Sequence, residues 1–69
     1  MSETPLEEAE RYVLEMKDRI VRQREIVLEM LSYGQAQAHA DALTILEQMN
    51  VTLGMMYAHL ADERQRQSI

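Results

Sequence analysis

The chain has 69 residues, no cysteine and a formal net charge of −5. A chain this short holds one domain and has no room for a cofactor-binding fold beside a substrate domain. The lack of cysteine removes disulfides and thiolate metal sites, and the acidic balance argues against broad contact with nucleic acid or an anionic membrane. Residues 1–5 lack the apolar core of a signal peptide, so we expect a cytoplasmic protein that contacts no membrane.

The first predicted element is a helix over residues 5–32. Thr4, Pro5 and Glu7 form the pattern of a capping box, in which side chains satisfy the first free backbone N–H groups. Nothing interrupts the helix before Gly34, whose missing Cβ permits the left-handed conformation that commonly ends helices. The turn is therefore predicted over residues 33–36.

The second predicted element is a helix over residues 36–65. It has no Ser, Thr, Asp or Asn at its start, while Arg64 and Arg66 suit the negative end of the helix dipole. A short turn makes consecutive helices antiparallel neighbours. The predicted fold is therefore all-α, a single two-helix hairpin.

Apolar residues recur every three or four positions along both helices and predict a packing seam. In the first helix the seam contains Leu6, Ala9, Val13, Met16, Ile20, Gln23, Val27 and Met30. In the second it contains Ala42, Leu46, Met49, Leu53, Met56 and Leu60, with His39 and Glu63 at its ends. Gln23 is the polar interruption, and it either fixes the register of packing or the oligomeric state, or it reaches solvent.

Both helices carry more apolar surface than one hairpin hides. A second row on the first helix contains Leu14, Val21 and Leu28, with Tyr12 and Ile26 on the other flank; Val51, Met55 and Ala58 lie outside the seam of the second helix. An apolar patch of this extent is unusual on soluble monomers. We therefore expect a homodimer that forms a four-helix bundle. Its candidate interface, which also serves as a candidate partner surface, contains Leu14, Val21, Leu28, Val51, Gly54, Met55 and Ala58.

Two residue types within this surface have specific interpretations. Gly54 is unfavourable in a helix interior by about 1 kcal/mol relative to Ala. It is predicted to mark the close approach of another helix, together with Ala61 one heptad later, and a hinge is the alternative. Met49, Met55 and Met56 are predicted to fill the core, and an adaptable groove for a partner is the alternative.

No constellation of catalytic side chains is evident. There is no nucleophile with an adjacent base and no glycine-rich phosphate loop. His39 and His59 lie about 30 Å apart by helical rise and cannot share a metal within one chain, while His59 and Glu63 are predicted to form a surface pair. We therefore predict that the protein is not an enzyme and has no cofactor.

The basic run Lys17, Arg19, Arg22 and Arg24 is the one feature that suggests nucleic acid. Lys17 and Arg24 point to one side of the helix, while Arg19 and Arg22 point to another. Acids precede bases by four residues in three predicted ion pairs, which are Glu7 with Arg11, Glu15 with Arg19 and Asp18 with Arg22. A solvated, self-compensating helix face is the favoured interpretation.

A wider pattern is formed by Ile20-Val21-Arg22-Gln23-Arg24, Leu31, Gly34, Ala38, Ala40, Leu43, Leu46-Glu47, Leu53 and His59-Leu60. It resembles a group of small uncharacterised helical-hairpin proteins of alphaproteobacteria with an R-Q-R run, a glycine turn and an L-x-x-L-E-like second helix. This chain departs from the group at Ala36 and Gln37, where an Asp-Thr-like cap is usual. The resemblance implies a helical hairpin and no particular activity.

The expected function is that of a small adaptor or regulatory module that acts through protein contacts. It is motivated by the surplus apolar surface and by the absence of a catalytic constellation. The alternative is a regulator that binds RNA or DNA through Lys17, Arg19, Arg22 and Arg24 across a dimer face.

Overall fold

The computed structural model describes residues 2–68 and contains two α-helices, α1 (Pro5–Ser32) and α2 (Ala36–Gln67). The helices run antiparallel and pack along their length, and no strand occurs in this part of the chain. The predicted all-α hairpin is confirmed. The sequence predicts that the second helix ends at residue 65, and α2 continues for two more residues, to Gln67.

Helix α1 begins with the predicted capping box. The Thr4 hydroxyl accepts a hydrogen bond from the Glu7 backbone N–H at 3.1 Å, and the Glu7 carboxylate accepts one from the Thr4 backbone N–H at 3.2 Å. Pro5 occupies the first helical position, where a missing N–H costs nothing. The start of α1 is therefore fixed by residues adjacent in sequence.

Helix α1 ends in a Schellman motif centred on Gly34. The backbone φ of Gly34 is +70°, in the left-handed region that side chains other than glycine rarely adopt. The Gly34 N–H donates to the Leu31 carbonyl at 3.1 Å, and the Gln35 N–H donates to the Met30 carbonyl at 3.1 Å. Gln35 is the N-cap residue of α2, and its side chain forms no capping hydrogen bond, in agreement with the sequence, which offers no Ser, Thr, Asp or Asn there.

The core is a single seam between the two helices, and it buries α1 more completely than α2. Five apolar residues of α1 are buried, as is Gln23, whereas Ala42 and Leu60 are the buried apolar residues of α2. Four larger seam residues of α2 remain half-buried, namely Leu46, Met49, Leu53 and Met56. One neighbouring helix covers only part of a wide side chain, so the seam alone leaves α2 incompletely packed.

The hairpin is long and flat. Its extents are 53 × 23 × 12 Å, and its radius of gyration is 15.8 Å. A compact domain of the same length has a radius of gyration of about 11 Å. Neither helix carries an apolar stretch of the length needed to cross a bilayer, judged over residues 2–68.

Candidate interaction surfaces

The first candidate surface is the row of Leu14, Val21 and Leu28 on α1, which we call the outer row. Their exposed fractions are 64%, 54% and 64%. At 100° per residue, the outer row lies roughly 130° around α1 from the face that packs on α2. The prediction that the hairpin leaves this row uncovered is confirmed.

The second candidate surface lies on α2. Val51 and Met55 are 61% and 67% exposed, and Gly54 and Ala58 are also exposed. Met49 and Met56 are half-buried in the seam, in agreement with the prediction that they fill the core, whereas Met55 is outside the core of the hairpin. Met55 lies on the side of α2 that is turned away from the seam. Burial of Met55 in an interface with another chain stays a prediction.

The candidate residues of α1 and α2 do not form one continuous patch. They lie beside different shallow grooves, which run on opposite sides of the seam. One groove is lined by Leu14, Lys17 and Tyr57, and it continues along α1 beside Val21 and Arg24. Met55 instead lines a groove with Tyr12, Thr52 and His59 on the other side. The sequence predicts both sets of exposed residues but not their division between two faces.

Gly54 makes no close approach to α1. A Cβ placed on Gly54 would meet no atom within 4 Å. The expectation that Gly54 marks a close helix contact is thus wrong within the hairpin, because the residue points away from the one helix available. Contact with a helix of a second chain stays a prediction.

Gln23 is buried and joins the two helices. Its Nε2 donates a hydrogen bond to the Ala42 backbone carbonyl at 3.0 Å. The interpretation that Gln23 reaches solvent is therefore wrong, and the interpretation that it fixes register is supported within the hairpin. An amide at this depth needs a partner, and the nearby carbonyl of α2 provides one.

Glu63 is a buried acid whose location follows from its heptad spacing behind Leu60 and Met56. The side chain retains 9% of its exposure, with Arg66 Nη1 at 3.4 Å and His59 Nε2 at 3.9 Å from the same carboxylate oxygen. His59 and Glu63 lie close together as predicted, but they are not a surface pair, because the Glu63 side chain is buried and only His59 is exposed. Over residues 2–68 the structure brings together no group of three or more His, Asp or Glu side chains that would hold a metal ion.

The ion pairs on α1 differ from the predicted ones. Arg11 binds Glu3 at 2.9 Å and Glu15 at 2.8 Å, while Arg22 binds Glu25 at 3.3 Å. None of the three predicted pairs forms within the described part of the chain. Surface pairs differ little in energy, so small differences in side-chain reach decide among them.

The contacts of Arg11 change the acidity of its neighbour. The hydrogen bonds and charge of Arg11 hold the pKa of the Glu3 carboxyl below its usual value. The hydrogen bonds that Arg11 donates to the Glu3 and Glu15 carboxylates in turn raise the pKa of the Arg11 guanidinium further above its already high value. Both pairs are exposed, so their contribution to stability is small.

The four bases of the basic run do not share one surface. Lys17 and Arg24 line the same groove beside Val21, and the Lys17 ammonium lies 6.0 Å from the centre of the Tyr57 ring. Arg22 is engaged with Glu25. The positive charge is therefore divided and partly neutralised, which weakens the alternative of nucleic-acid binding.

Comparison of the chain with protein-family models, curated proteins and solved structures finds no match.

Proposed function

We propose that this protein acts through protein contacts, as a hairpin that self-associates into a four-helix assembly and serves as an adaptor or regulatory module. One observation carries the proposal. Both helices expose rows of large apolar side chains, while no large side chain in the described residues is completely buried. Such surfaces are typical of sites that bind another protein.

The exposed area has the magnitude of a protein interface. The hairpin has an accessible surface of 5317 Å². A compact monomer of this mass is expected to expose about 4500 Å², so the hairpin exposes about 800 Å² more. A standard protein interface buries about 800 Å² on each partner. Self-association therefore removes the surplus that the elongated shape creates.

The hairpin has two separate apolar surfaces, and one interface covers only one of them. A symmetric dimer uses the same patch on both copies. The other surface then stays available on each copy, which gives a two-fold symmetric pair of sites for a different protein. This arrangement is the basis for proposing an adaptor rather than a dimer alone.

The test is the solution mass measured by light scattering across a dilution series. We expect a dimer that dissociates on dilution. We expect Val21→Asp, Val51→Asp or both to be monomeric. Both variants are expected to keep the helical circular dichroism spectrum, because both residues are exposed in the hairpin. Gln65→Asp adds the same charge at an exposed polar position of α2 that is about 21 Å from Val51 by helical rise, and it serves as the control. A monomeric wild type, or a dimer unaffected by either substitution, contradicts the proposal.

A further inference from the structure

Charged residues flank the outer row of α1 in a regular pattern. Three pairs of adjacent, oppositely charged residues repeat every seven positions, and they are Glu10-Arg11, Lys17-Asp18 and Arg24-Glu25. The first members, Glu10, Lys17 and Arg24, line the grooves beside α2, and we call them the groove-side charges. The second members lie on the other side of the outer row, one residue further along the helix. We call them the far-side charges.

This pattern distinguishes the two ways in which two α1 helices can pair along their outer rows. In a parallel two-fold pair, the groove side of one helix faces the far side of the other at the same height. Lys17 then meets Asp18 of the second copy, and Arg24 meets Glu25 of the second copy. Glu10 likewise meets Arg11 of the second copy. All six contacts across the two-fold axis join opposite charges.

An antiparallel pair centred on Val21 gives the reverse result. Each side of the outer row then faces the same side of the second copy. Lys17 meets Arg24 of the second copy, and Asp18 meets Glu25 of the second copy. These contacts join like charges, which oppose association when they are held close together.

The hairpin leaves most of these charges free to pair. Within residues 2–68, Glu10, Lys17, Asp18 and Arg24 take part in no ion pair. Leu14 and Val21 line the outer edge of the grooves beside α2, yet both stay more than half exposed, so α2 leaves the outer row open to a second α1. The paired strip, from Glu10 to Leu31, is about 32 Å long by helical rise.

We infer that two copies of this chain associate in parallel through α1, with Leu14, Val21 and Leu28 against their own counterparts and the flanking charges paired across the axis. This inference rests on the proposed self-association and specifies the surface and the direction. It leaves the exposed residues of α2, including Val51 and Met55, outside the dimer interface. The exposed face of α2 is then the surface that remains for a different protein.

Single cysteines test the direction, because the natural chain contains none. A disulfide requires Cα atoms about 4.4–6.8 Å apart. In the parallel pair, Leu14→Cys alone forms a covalent dimer under mild oxidation, and Leu28→Cys alone does the same. In the antiparallel pair, position 14 faces position 28, so only a mixture of the two variants cross-links efficiently. Gln48→Cys on α2 is the control and is expected to stay uncross-linked.

Charge reversal gives a second measurement that does not alter the apolar row. Lys17→Glu with Arg24→Glu is expected to weaken dimerisation at least tenfold at low salt, since four attractive contacts become repulsive. Arg19→Glu, compared with Lys17→Glu alone, makes the same change in net charge on the opposite side of α1 and is expected to have a smaller effect. Mixing the first variant with Asp18→Lys, Glu25→Lys is expected to restore association as a heterodimer.

The outcomes separate this inference from the proposed function. A dimer by mass that fails to cross-link through Leu14→Cys alone, yet cross-links in the mixture or through Gln48→Cys, overturns the parallel α1 pairing and leaves self-association standing. A monomer at all concentrations overturns both. A dimer whose affinity is unchanged by Lys17→Glu with Arg24→Glu also overturns the pairing.

Discussion

Gly54→Ala tests directly whether α1 or α2 forms the dimer interface. Alanine at this position is expected to stabilise the protein if the interface is on α1, and to disrupt the dimer if a second chain packs closely against Gly54 on α2. Glycine in a helix interior is less stable than alanine because the unfolded glycine backbone has more conformations to lose. In the hairpin, a Cβ at Gly54 meets no atom within 4 Å and the residue is exposed. Nothing in the hairpin therefore offsets the gain in helix propensity.

The expected stabilisation is about 1 kcal/mol for Gly54→Ala. For a domain of this size, that corresponds to an increase of about 4–8 °C in Tm. Gly34→Ala is the matched control, since the same atoms are added where φ is +70°. Forcing alanine into that conformation is expected to destabilise the hairpin by about 1–2 kcal/mol.

The assay is thermal and urea unfolding followed by circular dichroism, at one fixed protein concentration because dimerisation makes Tm concentration-dependent. Light scattering on the same samples gives the mass. We expect Gly54→Ala to raise Tm and leave the dimer intact. A lower Tm together with loss of the dimer would contradict this prediction, since it would show that a second chain packs closely against Gly54.

Substitutions at three further positions test the hairpin itself. Gln23→Ala removes a buried side chain and its hydrogen bond to Ala42, and it is expected to lower the free energy of unfolding in urea by about 2 kcal/mol. Gln23→Leu keeps the side-chain volume and is expected to lower it by less than half as much. Thr4→Ala is expected to cost about 1 kcal/mol by breaking the capping box, and Thr4→Ser to cost less; equal losses would contradict the capping role. The Glu3 carboxyl is held below its usual pKa by Arg11, so its contribution to stability is present above the unfolded-state pKa and is lost as pH falls through the folded-state pKa. An NMR titration is expected to show the Glu3 pKa returning to its ordinary value in Arg11→Met, and an unchanged titration would contradict the pairing.

The outer surfaces show where sequence reasoning succeeds and where it stops. Helical spacing alone places Leu14 and Met55 outside the seam, and both are exposed. Their separation onto opposite sides of the hairpin depends on how each helix is rotated about its own axis when the two pack. That rotation results from the fit of all the seam side chains together, so spacing within one helix does not determine it.

The ion pairs and Gly54 illustrate the same limit for individual side chains. Arg11 has several acids within reach at helical spacing, and the structure selects Glu3 and Glu15. Exposed pairs of this kind differ by less than about 1 kcal/mol, so a spacing rule cannot choose among them. For Gly54, the sequence reveals an unfavourable residue in a helix, but only the packed hairpin shows that α1 does not approach it.

Sequence patterns are sufficient to predict α1, the turn, the start of α2 and the packing seam, whereas α2 ends two residues later than predicted. Thr4 and Gly34 act on backbone groups within a few residues, and the heptad spacing specifies which side of each helix is apolar. The tertiary structure decided that Gln23 reaches the Ala42 carbonyl, that the half-packed seam leaves large residues of α2 partly open, and that the exposed apolar residues fall on separate faces. The physical reason is range: helix ends depend on local backbone hydrogen bonds, whereas surface organisation depends on how two helices fit together.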